Sequence, residues 1–101
     1  MYKDKKVFIL GMARSGYEVA KLLRKYTDKI LITDCKPQNE EHVKELQALG
    51  IQYVLTDKPE EILDDSFEIM VKNPGVNYRK PCVQKAKKLK IPVVNEVEVT
   101  Y

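Results

Sequence analysis

Val7-Phe8-Ile9-Leu10-Gly11-Met12-Ala13-Arg14-Ser15-Gly16 runs four apolar residues together without alternation, then turns at a glycine into a stretch with helical spacing. A continuous apolar run bounded by glycine predicts a central strand buried on both faces. Ser15 is placed to cap a helix in which Tyr17, Val19, Ala20, Leu22 and Leu23 share a face as far as about residue 26. A strand that turns through glycine into a helix points free amides, and the positive end of the helix dipole, at whatever binds there. The segment is therefore expected to cradle a nucleotide phosphate. Gly11 permits the tight turn and Gly16 permits close packing of the helix on the sheet. The spacing is GxAxxG, where the dinucleotide fingerprint has GxGxxG. Ala13 stands where a glycine lets a pyrophosphate approach the backbone, which argues against the usual dinucleotide geometry. The competing reading is a strand-to-helix turn with a purely structural role.

Outward from this stretch, strand and helix patterns alternate. Ile30-Leu31-Ile32-Thr33 predicts a second buried strand that ends in Asp34-Cys35-Lys36 and Pro37. Val43, Leu46 and Leu49 set a helix over about 40–49, and Gly50 stands where a left-handed cap is favoured. Residues 51–55 predict a third strand, and Pro59 opens a short helical turn to about residue 63. Residues 67–71 predict a fourth strand, ending at Lys72-Asn73-Pro74-Gly75. A helix over 79–89 and a short strand over 91–94 follow. Asn95-Glu96-Val97-Glu98-Val99-Thr100-Tyr101 has the look of another helix begun and not finished, as expected of a piece of a longer protein. The expected division is a domain over 1–94 and the start of a connection over 95–101. Alternation with short connections predicts an α/β fold, Rossmann-like and doubly wound, with a mainly parallel five-stranded sheet and helices on both faces.

Composition narrows the classes. The chain has 101 residues, 44% of them apolar and 33% charged, an ordinary globular balance. A net charge of +3, from 18 Lys and Arg against 15 Asp and Glu, is too mild for the concentrated basic face of a nucleic-acid binder. The lysines of Lys85-Ala86-Lys87-Lys88-Leu89-Lys90 interleave with apolar residues at helical spacing and predict a solvated helix face. The apolar run before Gly11 is too short for a signal-peptide core or a membrane span. Cys35 and Cys82 form no metal or redox motif, and two isolated cysteines suit a reducing cytoplasm.

In a doubly wound sheet, ligands bind beyond the carboxyl ends of the strands, where strand order reverses. The glycine turn, the Asp34 group and the Asn73-Pro74-Gly75-Val76 group all fall at such ends. Asp34 comes 18 residues after Gly16, close to the spacing of a ribose-binding acid. Pro74-Gly75 suits a type II turn. An exposed acid in a turn and a bland loop are the alternatives for these two groups. His42, beside Glu40 and Glu41, is expected at the surface. No Ser-His-Asp set, HExxH or Walker phosphate loop is present, so no catalytic centre can be assembled.

These residues together resemble the N-terminal domain of a Mur ligase, and within that family its D-glutamate-adding branch. The strings that carry the resemblance are the glycine turn with Ala20-Lys21-Leu22-Leu23, then Thr33-Asp34, Asn73-Pro74-Gly75-Val76 and Val94-Asn95-Glu96-Val97-Glu98. They cover essentially the whole chain. The resemblance implies a domain that holds the UDP part of UDP-N-acetylmuramoyl-L-alanine. Gly11, Ala13 and the amides of Arg14 and Ser15 would meet the diphosphate, and Asp34 and Cys35 the uracil. Lys36 would lie nearby, and Asn73, Pro74, Gly75 and Val76 would line the ribose and sugar side. The family often has a hydroxylic residue and an arginine where this chain has Cys35 and Lys36. A thiol is a weaker hydrogen-bond partner, and lysine lacks the two-pronged contact of arginine. The resemblance also implies a cytoplasmic bacterial monomer whose ATP, Mg2+ and D-glutamate sites belong to central and C-terminal domains. No cofactor, nucleic-acid or membrane site is expected in these 101 residues. An NAD-binding Rossmann domain is the alternative, opposed by Ala13 and the Pro-Gly-Val and Glu-Val-Glu groups. A phospho-receiver domain would want an acidic pair where Gly11-Met12 stands.

Overall fold

In the computed structural model, the structure describes residues 3–11, 13–35, 40–72 and 79–95, with the backbone alone at 13–15. Five strands, β1 (Val7–Leu10), β2 (Ile30–Asp34), β3 (Gln52–Leu55), β4 (Ile69–Lys72) and β5 (Val93–Asn95), form one sheet. Three helices, α1 (Ala13–Leu23), α2 (Glu40–Ala48) and α3 (Pro81–Lys88), and a 3-10 turn at Pro59–Glu61 connect them. The strand order is β3-β2-β1-β4-β5, and every neighbouring pair is parallel. Chain order therefore reverses between β1 and β4, and the expected doubly wound α/β class is observed.

The absence of alternation in Val7-Phe8-Ile9-Leu10 has the predicted cause: all four residues are buried, on alternate faces of the sheet. Val7 and Ile9 join Ile30, Ile32, Ile69 and Val71 under α1 and α2, where Val19, Ala20, Leu23 and Leu46 close one core. Phe8 and Leu10 join Leu31 and Met70 on the other face, closed by Leu63, Phe67, Cys82, Val83 and Ala86. Phe67 meets Phe8 edge to face with ring centroids 5.1 Å apart, and the Lys6 ammonium lies 4.4 Å from the Phe67 ring centre. Leu23 and Leu46 are fully buried. Truncating either to alanine removes packed volume that the rigid layers cannot refill, at a cost of about 2–5 kcal/mol.

Both α2 and α3 end in the same closing pattern. Past α2, the Gly50 amide donates to the Gln47 carbonyl at 3.0 Å and the Ile51 amide to that of Leu46 at 3.0 Å. Past α3, Lys90 donates to Lys87 at 3.0 Å and Ile91 to Ala86 at 2.8 Å. These paired bonds satisfy carbonyls that a helix end leaves open, and buried Ile51 and Ile91 return the chain to the core. Gly50 has the expected left-handed conformation, with φ of 84°. α2 is tied to α1 through Tyr17, whose hydroxyl donates to Glu45 and whose ring stacks on His42 at 4.0 Å between centroids. Lys21 completes the cluster at 3.2 Å from Glu45.

Boundaries differ from the sequence expectation in informative places. α1 begins at Ala13, two positions before Ser15, so Ser15 lies inside the first turn instead of capping it. Leu49, expected on the apolar face of α2, follows the helix end and is exposed, and its carbonyl accepts from Arg24 Nε at 2.6 Å. β4 and β5 run one residue further than the apolar pattern, to Lys72 and Asn95. Parallel pairing supports a polar residue in the ladder when its register partners are strand residues.

Candidate functional site

β1 delivers the chain to Gly11, whose φ of 90° is accessible to glycine and strained for other residues. The Gly11 amide donates to the Thr33 carbonyl at 2.9 Å, so the turn out of β1 is pinned against the end of β2. α1 then starts at Ala13. The first four amides of a helix have no intrahelical acceptor, and here they include those of Arg14 and Ser15. Gly16 is buried within α1. Strand, glycine turn and helix start thus have the order that directs amides to a ligand at the carboxyl edge.

Asp34 closes β2, one residue beyond the carbonyl that holds Gly11. Its own carbonyl accepts from the Thr56 amide at 2.9 Å, and its Cα is in register with Leu55. The backbone of Asp34 is thus fixed from the β3 side, and Cys35 beside it is exposed. The turn from β1 and the acid that ends β2 stand at one edge of the sheet, as the topology predicts. Lys36, Asn73, Pro74, Gly75 and Val76 lie outside the described residues.

One row at this edge was not assembled from sequence. Thr33, Leu10, Lys72 and Asn95 are register partners in turn across β2, β1, β4 and β5, and register partners in a parallel sheet share a face. Thr33 and Lys72 are both buried, at 0% and 3% exposure. The Thr33 hydroxyl has no hydrogen-bond partner among the described residues. The signal was a lysine directly continuing an apolar strand run, but only the strand order shows what stands beside it. A groove of about 390 Å³ lies elsewhere, lined by Lys6, Lys29, Ile30, Gln52 and Phe67 among others. It opens beside the starts of β1, β2 and β3, the edge away from the glycine turn.

Among the described residues no group of three or more His, Cys, Asp or Glu side chains is placed to hold a metal ion. None of their helices is long and apolar enough to cross a membrane. His42 and Cys82 belong to the helical layers: His42 stacks on Tyr17, and burial pushes the Cys82 thiol up to about 12, with Glu60 adding to the shift and Lys85 opposing it.

Fold and edge together define a Rossmann-like α/β domain whose strand order reverses between β1 and β4. The family described as Mur ligase MurD-like, N-terminal domain, matches residues 5–95, and the chain belongs to that family. It is 46% identical to the UDP-N-acetylmuramoylalanine–D-glutamate ligase of Enterococcus hirae over 98% of this chain. It is 43% identical to the enzyme of that name from Listeria monocytogenes over 100% of the chain, and 42% to that from Geobacillus kaustophilus over 99%. The chain spans 22% of the length of each of these relatives. A crystal structure of UDP-N-acetylmuramate:L-alanyl-gamma-D-glutamyl-meso-diaminopimelate ligase from Neisseria meningitides superposes with a TM-score of 0.74 at 18% identity. That match covers 91% of this chain and 28% of the other, and it shows a shared fold. The family assignment sets aside the NAD-binding alternative.

Proposed function

We propose that this chain holds the UDP part of UDP-N-acetylmuramoyl-L-alanine, as the N-terminal domain of an ATP-dependent ligase that adds D-glutamate in peptidoglycan synthesis. The observation that carries the reading is the Gly11 turn pinned to the end of β2 beside Asp34, in a chain of this family. Gly11 and Ala13 shape the turn, and the amides of Arg14 and Ser15 meet the diphosphate. Asp34 accepts from the uracil or a ribose hydroxyl, with Cys35 and Lys36 beside it. Asn73, Pro74, Gly75 and Val76 line the ribose and sugar side.

Residues 1–94 act as the nucleotide-binding domain, and 95–101 lead toward a central domain. ATP and Mg2+ serve the whole enzyme, a cytoplasmic monomer. Its other domains convert the substrate carboxylate to an acyl phosphate that the amine of D-glutamate attacks. In this reading the chemistry belongs to those other domains, and this chain alone binds without catalysing.

Titration with UDP-N-acetylmuramoyl-L-alanine, or with UDP at higher concentration, is expected to move the amide resonances of Arg14, Ser15, Asp34 and Gly75. Asp34→Ala is expected to weaken UDP binding by about 1–3 kcal/mol, the cost of losing a charged hydrogen-bond partner. Shifts with NADH and none with UDP would overturn the reading.

A further inference from the structure

Lys72 is the one charged side chain that is buried among the described residues, with 3% of its surface exposed. It ends β4, and its Cα is in register with Leu10, the residue before the Gly11 turn. Because β1 and β4 flank the point where strand order reverses, Lys72 stands at the crevice in which doubly wound sheets bind ligands. Register partners share a face, so Lys72 stands on the Leu10 side of the sheet, opposite α1, at the rim where the Gly11 turn begins. An ammonium shielded from water also acts through a lower effective dielectric than the exposed lysines of α2 and α3 do.

We propose that Lys72 is a specificity-determining residue of this nucleotide site, supplying the positive charge that favours a nucleoside diphosphate over the uncharged nucleoside. The inference rests on the nucleotide-binding reading above and adds a residue to it. Backbone amides orient a diphosphate through partial charges. Lys72 contributes a full charge from the neighbouring strand, held in place by the ladder between Leu10 and Asn95. The base and ribose are read elsewhere, so discrimination by Lys72 falls on the phosphates alone.

The test compares UDP with uridine on this chain, using amide resonances for affinity and 13C-labelled lysine to observe Lys72 directly. Lys72→Met is expected to lower affinity for UDP by about ten- to a hundredfold, the range for a charged hydrogen bond, and to leave that for uridine unchanged. Lys72→Arg, which keeps the charge, is expected to retain most of the preference. In the unsubstituted chain the Lys72 13Cε resonance is expected to move with UDP and stay in place with uridine. That comparison decides the matter if Lys72→Met does not fold. Equal movement with both ligands, or UDP binding insensitive to Lys72→Met, overturns the inference and leaves the nucleotide reading standing. Failure of UDP to bind the unsubstituted chain overturns both.

Discussion

Gly50 and Lys90 occupy equivalent positions, two residues past the last turn of α2 and of α3, and both are left-handed, with φ of 84° and 62°. The amides of Gly50 and Ile51 past α2 and of Lys90 and Ile91 past α3 donate to corresponding carbonyls. Only the residue type differs, and a left-handed backbone costs a residue with a Cβ about 1–2 kcal/mol. Lys90→Gly is therefore expected to stabilise the chain by about 0.5–1 kcal/mol, after the larger backbone entropy glycine loses on folding. Gly50→Ala is expected to destabilise by about 1 kcal/mol although nothing lies within 4 Å of the added methyl. Urea melts of the two variants check both signs.

The Thr33 hydroxyl is buried without a partner among the described residues, a state that costs about 1–3 kcal/mol. Thr33→Val keeps the branched shape and removes the polar atom. It is expected to raise stability by about 1 kcal/mol, read as a higher urea midpoint with an unchanged slope. A lower midpoint would mean that the hydroxyl is satisfied in solution.

Acid should unfold the chain partly through the junction of β1 and β4. Glu68 accepts from the Lys5 ammonium at 3.1 Å and from the Lys6 amide at 3.3 Å, and these bonds hold its carboxyl below the ordinary value of 4.5. The side chain and amide of Ser66 hold Asp64 below its ordinary 3.8 in the same way. A lowered folded pKa gives stability that is present above the unfolded value and lost as pH falls through the folded one. Glu68→Gln is expected to lower stability slightly in the neutral region and to converge with the unsubstituted chain as pH falls below about 4.5, which flattens the acid loss in urea melts at stepped pH. Both carboxylates face water, so added salt should weaken the effect.

The two cysteines should separate cleanly by reactivity. Cys35 is exposed, whereas Cys82 is buried in α3 with its thiol pushed up to about 12. At pH 8 a thiol reagent is expected to label Cys35 at once and Cys82 only as fast as the chain opens. An unfolded thiol ionises near 9.0 while the folded one stays neutral, so Cys82 withdraws stability as pH rises above 9.0. Rapid labelling of both thiols would contradict this.

Much of this was legible in the residues because parallel sheets advertise themselves. Val7-Phe8-Ile9-Leu10 reads as a buried central strand since nothing in it alternates, and Gly11 and Gly50 mark turns that require left-handed backbone. Ser15 misled because its capping preference is weak beside the geometry of the Gly11 turn, which starts α1 two positions sooner. Lys72 and Asn95 were invisible as strand residues because a charged or amide side chain ends an apolar pattern while parallel pairing continues past it. The Thr33 to Asn95 row was out of reach for a different reason. It depends on which strands are neighbours, and local spacing carries no such information.

The register of Asn95 with Lys72 has one more consequence. Because β5 is parallel to β1, the chain leaves the sheet on the same rim as the Gly11 turn. Anything joined after Asn95 therefore starts from the carboxyl rim of the strands and not from the far side of the sheet.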